Sequence, residues 1–526
     1  MRIPAANRFT VLALVVLALV ALAAVAWLSK PVTVSAGQQA AVLRTTPVSV
    51  GMRACPSPGS PGSRGAGVAV LATGGGSGPG QAAVSRLSVS GGAAGPLRRL
   101  SQPGVLSLTG VPAAPAASPG SHAPSSPGAN RSAVAVARPG GVMVQAAGSM
   151  AQGLEAEQTA GGVATARCGS PGTDFWFAVP GQQSAGTIEL DLMNVDSQAA
   201  TVDVDVFTDT GPLHAGADTG IVVPAHGLVV QSLADLVHGS RAIALHVRTS
   251  AGRVVAALRE SSQRNGGGQW LPPAQPPSQR LVIPGMPGSK GPRVLDLADP
   301  GGTDAQVKLS VVSPGGTYHP TGGDAIDIPA GSANRIELTS LSGVVGAVAI
   351  TSSVPVTAAI TIPAGPAGAS GAMTAAAPAL QEQGVLADVG QRADTTTLVL
   401  SAPERAARVR LTIGVSGLTS TGRSAASTRS GGDAGGGNVG PATSRLVSVR
   451  AHRSATVKIT APRGSHWGAG FAVVLTPLPG SGPVYAGQVL ASKSGAVLGI
   501  MPVASALTRV SLSPVRDSLT TSAPHP

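Results

Sequence analysis

Leu190 to His246 reads LDLMNVDSQAATVDVDVFTDTGPLHAGADTGIVVPAHGLVVQSLADLVHGSRAIALH, and Leu295 to Thr351 reads LDLADPGGTDAQVKLSVVSPGGTYHPTGGDAIDIPAGSANRIELTSLSGVVGAVAIT. A shift of 105 residues lays one on the other with 15 identities in 57 positions. Leu190-Asp191-Leu192 falls on Leu295-Asp296-Leu297, and Pro224-Ala225 on Pro329-Ala330. Within the first copy Val202, Val204 and Val206 alternate with Asp203 and Asp205. A period of two with one polar face is a half-buried strand. Short strands at regular spacing, divided by Gly, Pro and Asp turns, are the pattern of an immunoglobulin-like β-sandwich.

Outward from this repeat the chain divides into several segments. The first sandwich covers 168–262, a Pro-rich joint 263–291, the second sandwich 292–363 and an Ala/Gly/Pro linker 364–395. A third, weaker copy covers 396–510, where Leu398, Leu400, Val409 and Leu411 match with a one-residue slip; it carries a Gly/Ser/Arg insertion at 417–444, and 511–526 is a tail. Residues 31–165 hold short apolar runs between Pro/Gly/Ser stretches and read as a degenerate β domain or a partly disordered stalk. The expected class is all-β, with tandem sandwiches behind an N-terminal transmembrane helix.

That helix is expected over residues 9–28. Phe9 to Leu28 is apolar or small except Thr10, behind Arg2 and Arg8. Twenty helical residues span about 30 Å, the thickness of a bilayer core. The basic flank would stay inside and everything after Lys30 outside. A cleaved signal peptide ending near Ala26 is the alternative, since Ala24-Val25-Ala26 fits a cleavage site. Either way the expectation is an extracytoplasmic protein. In that compartment Cys55 and Cys168, the only cysteines, are expected to pair, joining the start of the first domain to the start of the second.

Net charge is +12, with 31 Arg and five Lys. Ala, Gly, Pro and Arg rise together, as in a GC-rich coding sequence. The Arg residues are scattered, with no run of five or more and no aromatic interleaving, so nucleic acid is not an expected partner. No HExxH, no G-x-S-x-G elbow and no P-loop occurs. Gly435, Gly437 and Gly440 spell a dinucleotide pattern within low-complexity sequence, without flanking strand or helix. Asp209-Thr210-Gly211 and Asp218-Thr219-Gly220 read as turns rather than as a protease pair. Asp203, Asp205 and Asp209 could offer oxygens to calcium, but Lys308 replaces Asp203 in the second copy. The expectation is no enzyme, no metal and no cofactor. Only eleven aromatic residues are present. Phe175, Trp176, Trp270 and Trp467 are the candidate ligand contacts, as sugar-stacking platforms, or core anchors.

The chain also resembles a family of secreted actinobacterial proteins labelled a domain of unknown function. The likeness rests on Cys55-Pro56, Gly153-Leu154-Glu155-Ala156-Glu157-Gln158, Cys168 with Phe175-Trp176-Phe177, Gly252-Arg253-Val254-Val255-Ala256-Ala257, Trp270-Leu271-Pro272 and Pro284-Gly285-Met286-Pro287. The resemblance implies an envelope location and a gene often encoded beside that of a membrane glycosyltransferase, and it carries over no catalytic residue. The expected role is a scaffold or interaction module in the envelope; the alternative is a glycan-binding or accessory subunit of an envelope glycosyltransferase. Its partners would be the membrane and an envelope protein or polysaccharide.

Overall fold

A computed structural model describes residues 16, 17, 20, 44–56, 67–73, 78–89, 91–92, 96–100, 104–109, 140–159, 165–181, 186–213, 219–233, 237–262, 268–363, 371–389, 395–414, 442–460, 471–493 and 495–512. Two compact units emerge: Met1–Thr46 with Ser511–Pro526, and Pro47–Val510. The chain is all-β, as expected. The membrane anchor is not supported. A bilayer crossing needs about 20 consecutive helical residues, and among the described residues no helix is long and apolar enough to cross a membrane. Of residues 9–28 only 16, 17 and 20 are described.

The larger unit uses one eight-strand topology four times. Strands one, six, three and four form one sheet in that order; strands five, two, seven and eight form the other. In the first pair of sheets these strands are Val50–Cys55, Gly67–Ala72, Gly80–Arg86, Pro96–Leu100, Gly104–Thr109, Val142–Gly148, Glu155–Thr159 and Thr165–Arg167. In the second pair they are Asp174–Pro180, Gly186–Met193, Ala200–Thr208, Gly211–Leu213, Leu228–Ser232, Ala242–Ala251, Val255–Ser262 and Gly268–Leu271. The fourth pair runs Gly384–Val389, Thr395–Ala402, Ala407–Gly414, Thr443–Val449, Arg453–Ile459, Phe471–Pro477, Tyr485–Ala491 and Val497–Pro502. Strand one lies beside six and seven beside two. This order departs from the constant-type immunoglobulin arrangement, in which the first two strands are neighbours.

In the third pair the strands are Ser278–Met286, Arg293–Asp299, Ala305–Ser313, Gly316–Tyr318, Ser332–Leu338, then Gly346–Ile362 as six and seven together, and Ala372–Ala375. The first half of the 17-residue strand pairs with Ser278–Met286 and Ala305–Ser313, the second half with Arg293–Asp299 and Ala372–Ala375. It passes from one sheet to the other without a break. In the second pair a turn at Gly252, with φ +71°, makes the same crossing. Thus the Pro-rich joint and the Ala/Gly/Pro linker are not spacers. Each supplies the eighth strand of one pair and the first of the next. These are edge strands of their sheets, so they tolerate Pro and small residues that read as linker.

Alternation explains each core. Val202, Val204 and Val206 point inward with Leu190, Leu192, Leu245 and Phe177; Val307, Leu309 and Val311 do so with Leu295, Leu297, Val348 and Ile360. The sequence shift of 105 holds from the second strand to the fifth, since Leu190 faces Gln231 and Leu295 faces Ile336. It then becomes 103. Val206 faces Leu245, whereas its counterpart Val311 faces Val348. The second copy has lost two residues before its sixth strand. A slip of two returns every side chain to the same face, so alternation in the sequence cannot detect it.

Four apolar seams close the pairs on one another. Ala54, Leu87 and Met143 of the first meet Met193, Leu228 and Val255 of the second. Ala242 and Ala244 meet Ala298 and Ala333 of the third. Ile362 and Ala372 meet Val399, Val489 and Ile500 of the fourth. Ala69 and Leu71 of the first meet Val385, Ala387, Ala472 and Val474 of the fourth. The sequence reads as a tandem array, but its first and last members touch.

Candidate functional site

The segments that stand out in the sequence converge on these seams. Glu155 is the centre of the seam between the first and fourth pairs. Arg53 Nε donates to its Oε1 at 2.9 Å, and Arg167 Nη2 to its Oε2 at 2.6 Å. The Arg167 guanidinium also reaches the carbonyls of Val385 and Ala504 across the seam. Glu157 Oε1 accepts the Ala387 amide at 3.1 Å. Gly153 is at φ +63°, and a Cβ there would come within 2.1 Å of Thr73 Oγ1 and 2.2 Å of Gln383 Nε2. Only glycine fits that crossing. Cys55 lies two residues after Arg53, and Cys168 directly follows Arg167. The two are disulfide-bonded. Both line the core of the first pair, so the bond joins the two sheets of one domain rather than two domains.

Gly252-Arg253-Val254-Val255 serves the seam between the first and second pairs. Arg253 grips Asp196 at 2.7 and 2.8 Å and touches Met52 Sδ at 3.7 Å. That hydrogen-bonded guanidinium holds the Asp196 carboxyl below its usual range. The stretch after Trp270 threads between the second and third pairs. The Ala274 amide donates to Trp176 O, and the Gln275 amide to Ala376 O. Gly285 serves the seam between the third and fourth pairs. A Cβ on Gly487 would lie 2.3 Å from the Gly285 Cα, so two backbones touch there and neither tolerates a side chain.

Of the four aromatic candidates, Phe175 packs partly buried against the core of the second pair. Trp176 is 6% exposed. Its ring stacks on His246 with centroids 4.0 Å apart and lies 6.1 Å from Phe207. His246 Nε2 is 3.0 Å from Asp174 Oδ1, and Nδ1 is 3.4 Å from Asp205 Oδ2. Both ring nitrogens face carboxylates, which leaves neither to serve a substrate. Trp176 offers no free face for a sugar. Trp270 is half-buried on the eighth strand, opposite Arg259. Trp467 lies outside the described residues. The possible calcium ligands part company: Asp203 accepts the Gly220 amide, Asp205 faces His246 and Arg248, and Asp209 accepts the Arg241 amide. Among the described residues no group of three His, Cys, Asp or Glu could hold a metal ion.

Arg293 and Asp296 are buried charged groups that the sequence does not reveal, as are Asp191 and Asp299. Arg293 is fully buried, and its guanidinium donates to the carbonyls of Gly291, Pro292, Pro287 and Ser289. It ties down the loop Pro287–Pro292, with burial lowering its pKa. Asp296, the middle residue of the second Leu-Asp-Leu, is 1% exposed. It accepts from Thr361 Oγ1 at 3.0 Å and from Arg335 Nη1 at 3.3 Å. Burial pushes its carboxyl up to about 7, against the pull of Arg335 and Thr361; Glu260 adds to the rise. A single Arg or Asp in alternating sequence gives no sign of such burial: Arg293 is enclosed by its own Pro287–Pro292 loop, and Asp296 lies where the second pair, with Glu260, approaches its sheet.

A family of unknown function, DUF5719, matches residues 123–436. The match covers more than half of the chain. The chain belongs to the DUF5719 family. The match takes in all strands of the second and third pairs and only some of those of the first and fourth. No curated protein and no solved structure matches the chain.

Proposed function

We propose that this DUF5719 protein is a non-catalytic, extracytoplasmic scaffold or interaction module of the cell envelope. The observation that carries this reading is where the distinctive segments fall. They build the four seams and the disulfide, and thereby hold the four pairs of sheets in one fixed arrangement. A buried disulfide supports an oxidising compartment. Residues spent on fixing geometry suit a protein that presents surfaces to a partner. A second reading, a glycan-binding or accessory role beside an envelope glycosyltransferase, has the half-exposed ring of Trp270 in its favour.

The test is a pull-down of the tagged full chain from its host after mild crosslinking, run beside Glu155→Ala, which opens the seam between the first and fourth pairs. One envelope component recovered in stoichiometric amount with the intact chain, and lost with the variant, is the expected result. Polysaccharide alone in the pull-down favours the second reading. Equal recovery by both chains refutes the idea that the closed arrangement is what the partner recognises.

A further inference from the structure

The net charge is not spread along the chain. Residues 395–510 carry twelve Lys and Arg against two Asp and Glu, whereas residues 47–394 carry nineteen against twenty-one. A coding bias toward Arg would act everywhere, so it does not account for this split. In the fourth pair the outer face of one sheet is divided. Val385, Ala387, Ala472 and Val474 are covered by the first pair. The other half, on strands Ala407–Gly414 and Thr443–Val449, is open. There Arg408 faces Ser448 and Arg410 faces Leu446 across the ladder, and all four are exposed. Arg405 and Arg450 are exposed at the same end. Among the described residues none of these four guanidinium groups has an ion pair or hydrogen-bond partner.

Beside them runs an open groove of about 540 Å³. Its lining includes Pro378, Leu380, Arg405, Pro477 and Pro483, and also Glu382, whose carboxylate accepts from the backbone amides of Thr508 and Arg509. Ser481 in its wall exchanges hydrogen bonds with the backbone of Arg408, at 3.0 and 3.1 Å. The groove therefore abuts the start of the basic strand. Arg408 and Arg410, two residues apart on one strand, are separated by about 7 Å. Guanidinium groups at such a spacing match anionic groups that recur along an extended polymer.

We propose that this half-face and its groove bind a linear anionic polysaccharide. The chemistry favours a glycan over the other polyanions. Leu446 is an exposed apolar residue of the face, 54% accessible, and among the described residues no aromatic accompanies it to stack bases as single-stranded nucleic acid requires. A concave, proline-walled groove suits a chain of sugar rings better than the flat surface of a bilayer. The choice rests on the extracytoplasmic reading above for its compartment.

The experiment titrates a fluorescent oligogalacturonate with the full chain at low and at physiological ionic strength. The triple variant Arg405→Ser, Arg408→Ser, Arg410→Ser is compared with Arg280→Ser, an exposed arginine of the third pair. The triple variant should bind about 30-fold or more weakly, and its salt slope should fall by about 2, as released counterions dictate. Arg280→Ser should bind as the parent does, and both should melt as the parent does, since these side chains are exposed. Equal binding of a neutral oligomaltose, or full binding by the triple variant, overturns the proposal. Tighter binding of single-stranded DNA or of phosphatidylglycerol vesicles overturns the assignment to a glycan. The two proposals fail separately. If the triple variant still captures the envelope component in the pull-down and has lost the oligogalacturonate, the polysaccharide is a second ligand and the scaffold stands. If no component is captured but the oligogalacturonate binds, the scaffold reading falls and this one stands.

Discussion

Replacing Asp296 by Asn asks whether the buried carboxyl burdens the fold at neutral pH. In the unfolded chain an aspartate ionises near 3.8, whereas in the folded protein this group is pushed up to about 7. The folded state thus holds its proton more tightly. Below about pH 4 the group is protonated in both states and has no effect. Between about 4 and 7 the unfolded state gives up its proton first, so stability falls as pH rises. Above 7 the loss is complete. Three pH units correspond to about 4 kcal/mol, a magnitude large enough to dominate the neighbouring surface carboxylates. Asn keeps the shape and still accepts from Thr361, which donates to the Asp296 carboxyl at 3.0 Å. It removes the titration. Arg335 then loses its carboxylate, but its side chain is 28% accessible and retains water. Asp296→Asn should therefore be within about 1 kcal/mol of the parent at pH 5 and more stable by about 3 kcal/mol at pH 8. Urea midpoints of the two chains at both pH values read this difference, in which other titrating groups cancel. If the two chains lose stability in parallel from pH 5 to pH 8, or if the variant is weaker at pH 8, the carboxyl is not held protonated and the reasoning fails.

Other substitutions test the seams and the buried groups. Glu155→Gln strands two half-buried guanidinium groups and should cost about 3–5 kcal/mol, with limited proteolysis appearing first between the first and fourth pairs. Arg293→Met leaves at least three carbonyls without a donor and should cost about 3 kcal/mol or more; Arg293→Lys should not restore it, because one ammonium cannot reach both ends of the loop. The denaturant midpoint measures both. Reduction, or the double change Cys55→Ser and Cys168→Ser, removes a cross-link between residues 113 apart in sequence, worth about 5 kcal/mol in the chain-entropy relation. An unchanged midpoint under reductant would contradict the core position of that bond. Gly487→Ala should weaken the seam between the third and fourth pairs while leaving each pair folded, which hydrogen exchange localised to Pro284–Pro287 can show.

The sequence made the strands legible where alternation is clean. Val202 to Val206 and Val307 to Val311 announce both their secondary structure and their buried face. The cysteine pair was legible by count, though not the domain it belongs to, because Cys168 closes one pair of sheets rather than opening the next. Less was visible where chemistry depends on covering by a neighbour. Asp296 looks like an ordinary strand residue until the second pair is placed over it, and Arg293 like an ordinary turn residue until the Pro287–Pro292 loop is folded round its guanidinium. The first pair was obscured by the long Pro/Ser/Ala-rich stretch between Thr109 and Val142, which hides a strand spacing otherwise like that of its neighbours. The charge split was present in the letters all along. The net charge of the whole chain averages it away, and it forms no run of basic residues because a strand sets its arginines two apart.

One topology used four times explains why these segments could become specialised. A two-sheet unit of this kind has two outer faces and several open edges, and a lone copy would leave them all to solvent or to chance pairing. Here each unit spends part of an outer face on its neighbours. The small residues Ala242, Ala244, Ala298 and Ala333 allow sheets to approach at one seam, and the paired glycines 285 and 487 do so at another. Closure leaves a limited set of faces uncovered. The half-face of Arg408 and Arg410 is one of them, and among the described residues its guanidinium groups have no ion-pair partner. In a molecule that neutralises Glu155 with two arginines and turns four carbonyls toward Arg293, an unmatched row of guanidinium groups beside a groove is best accounted for by something outside the chain.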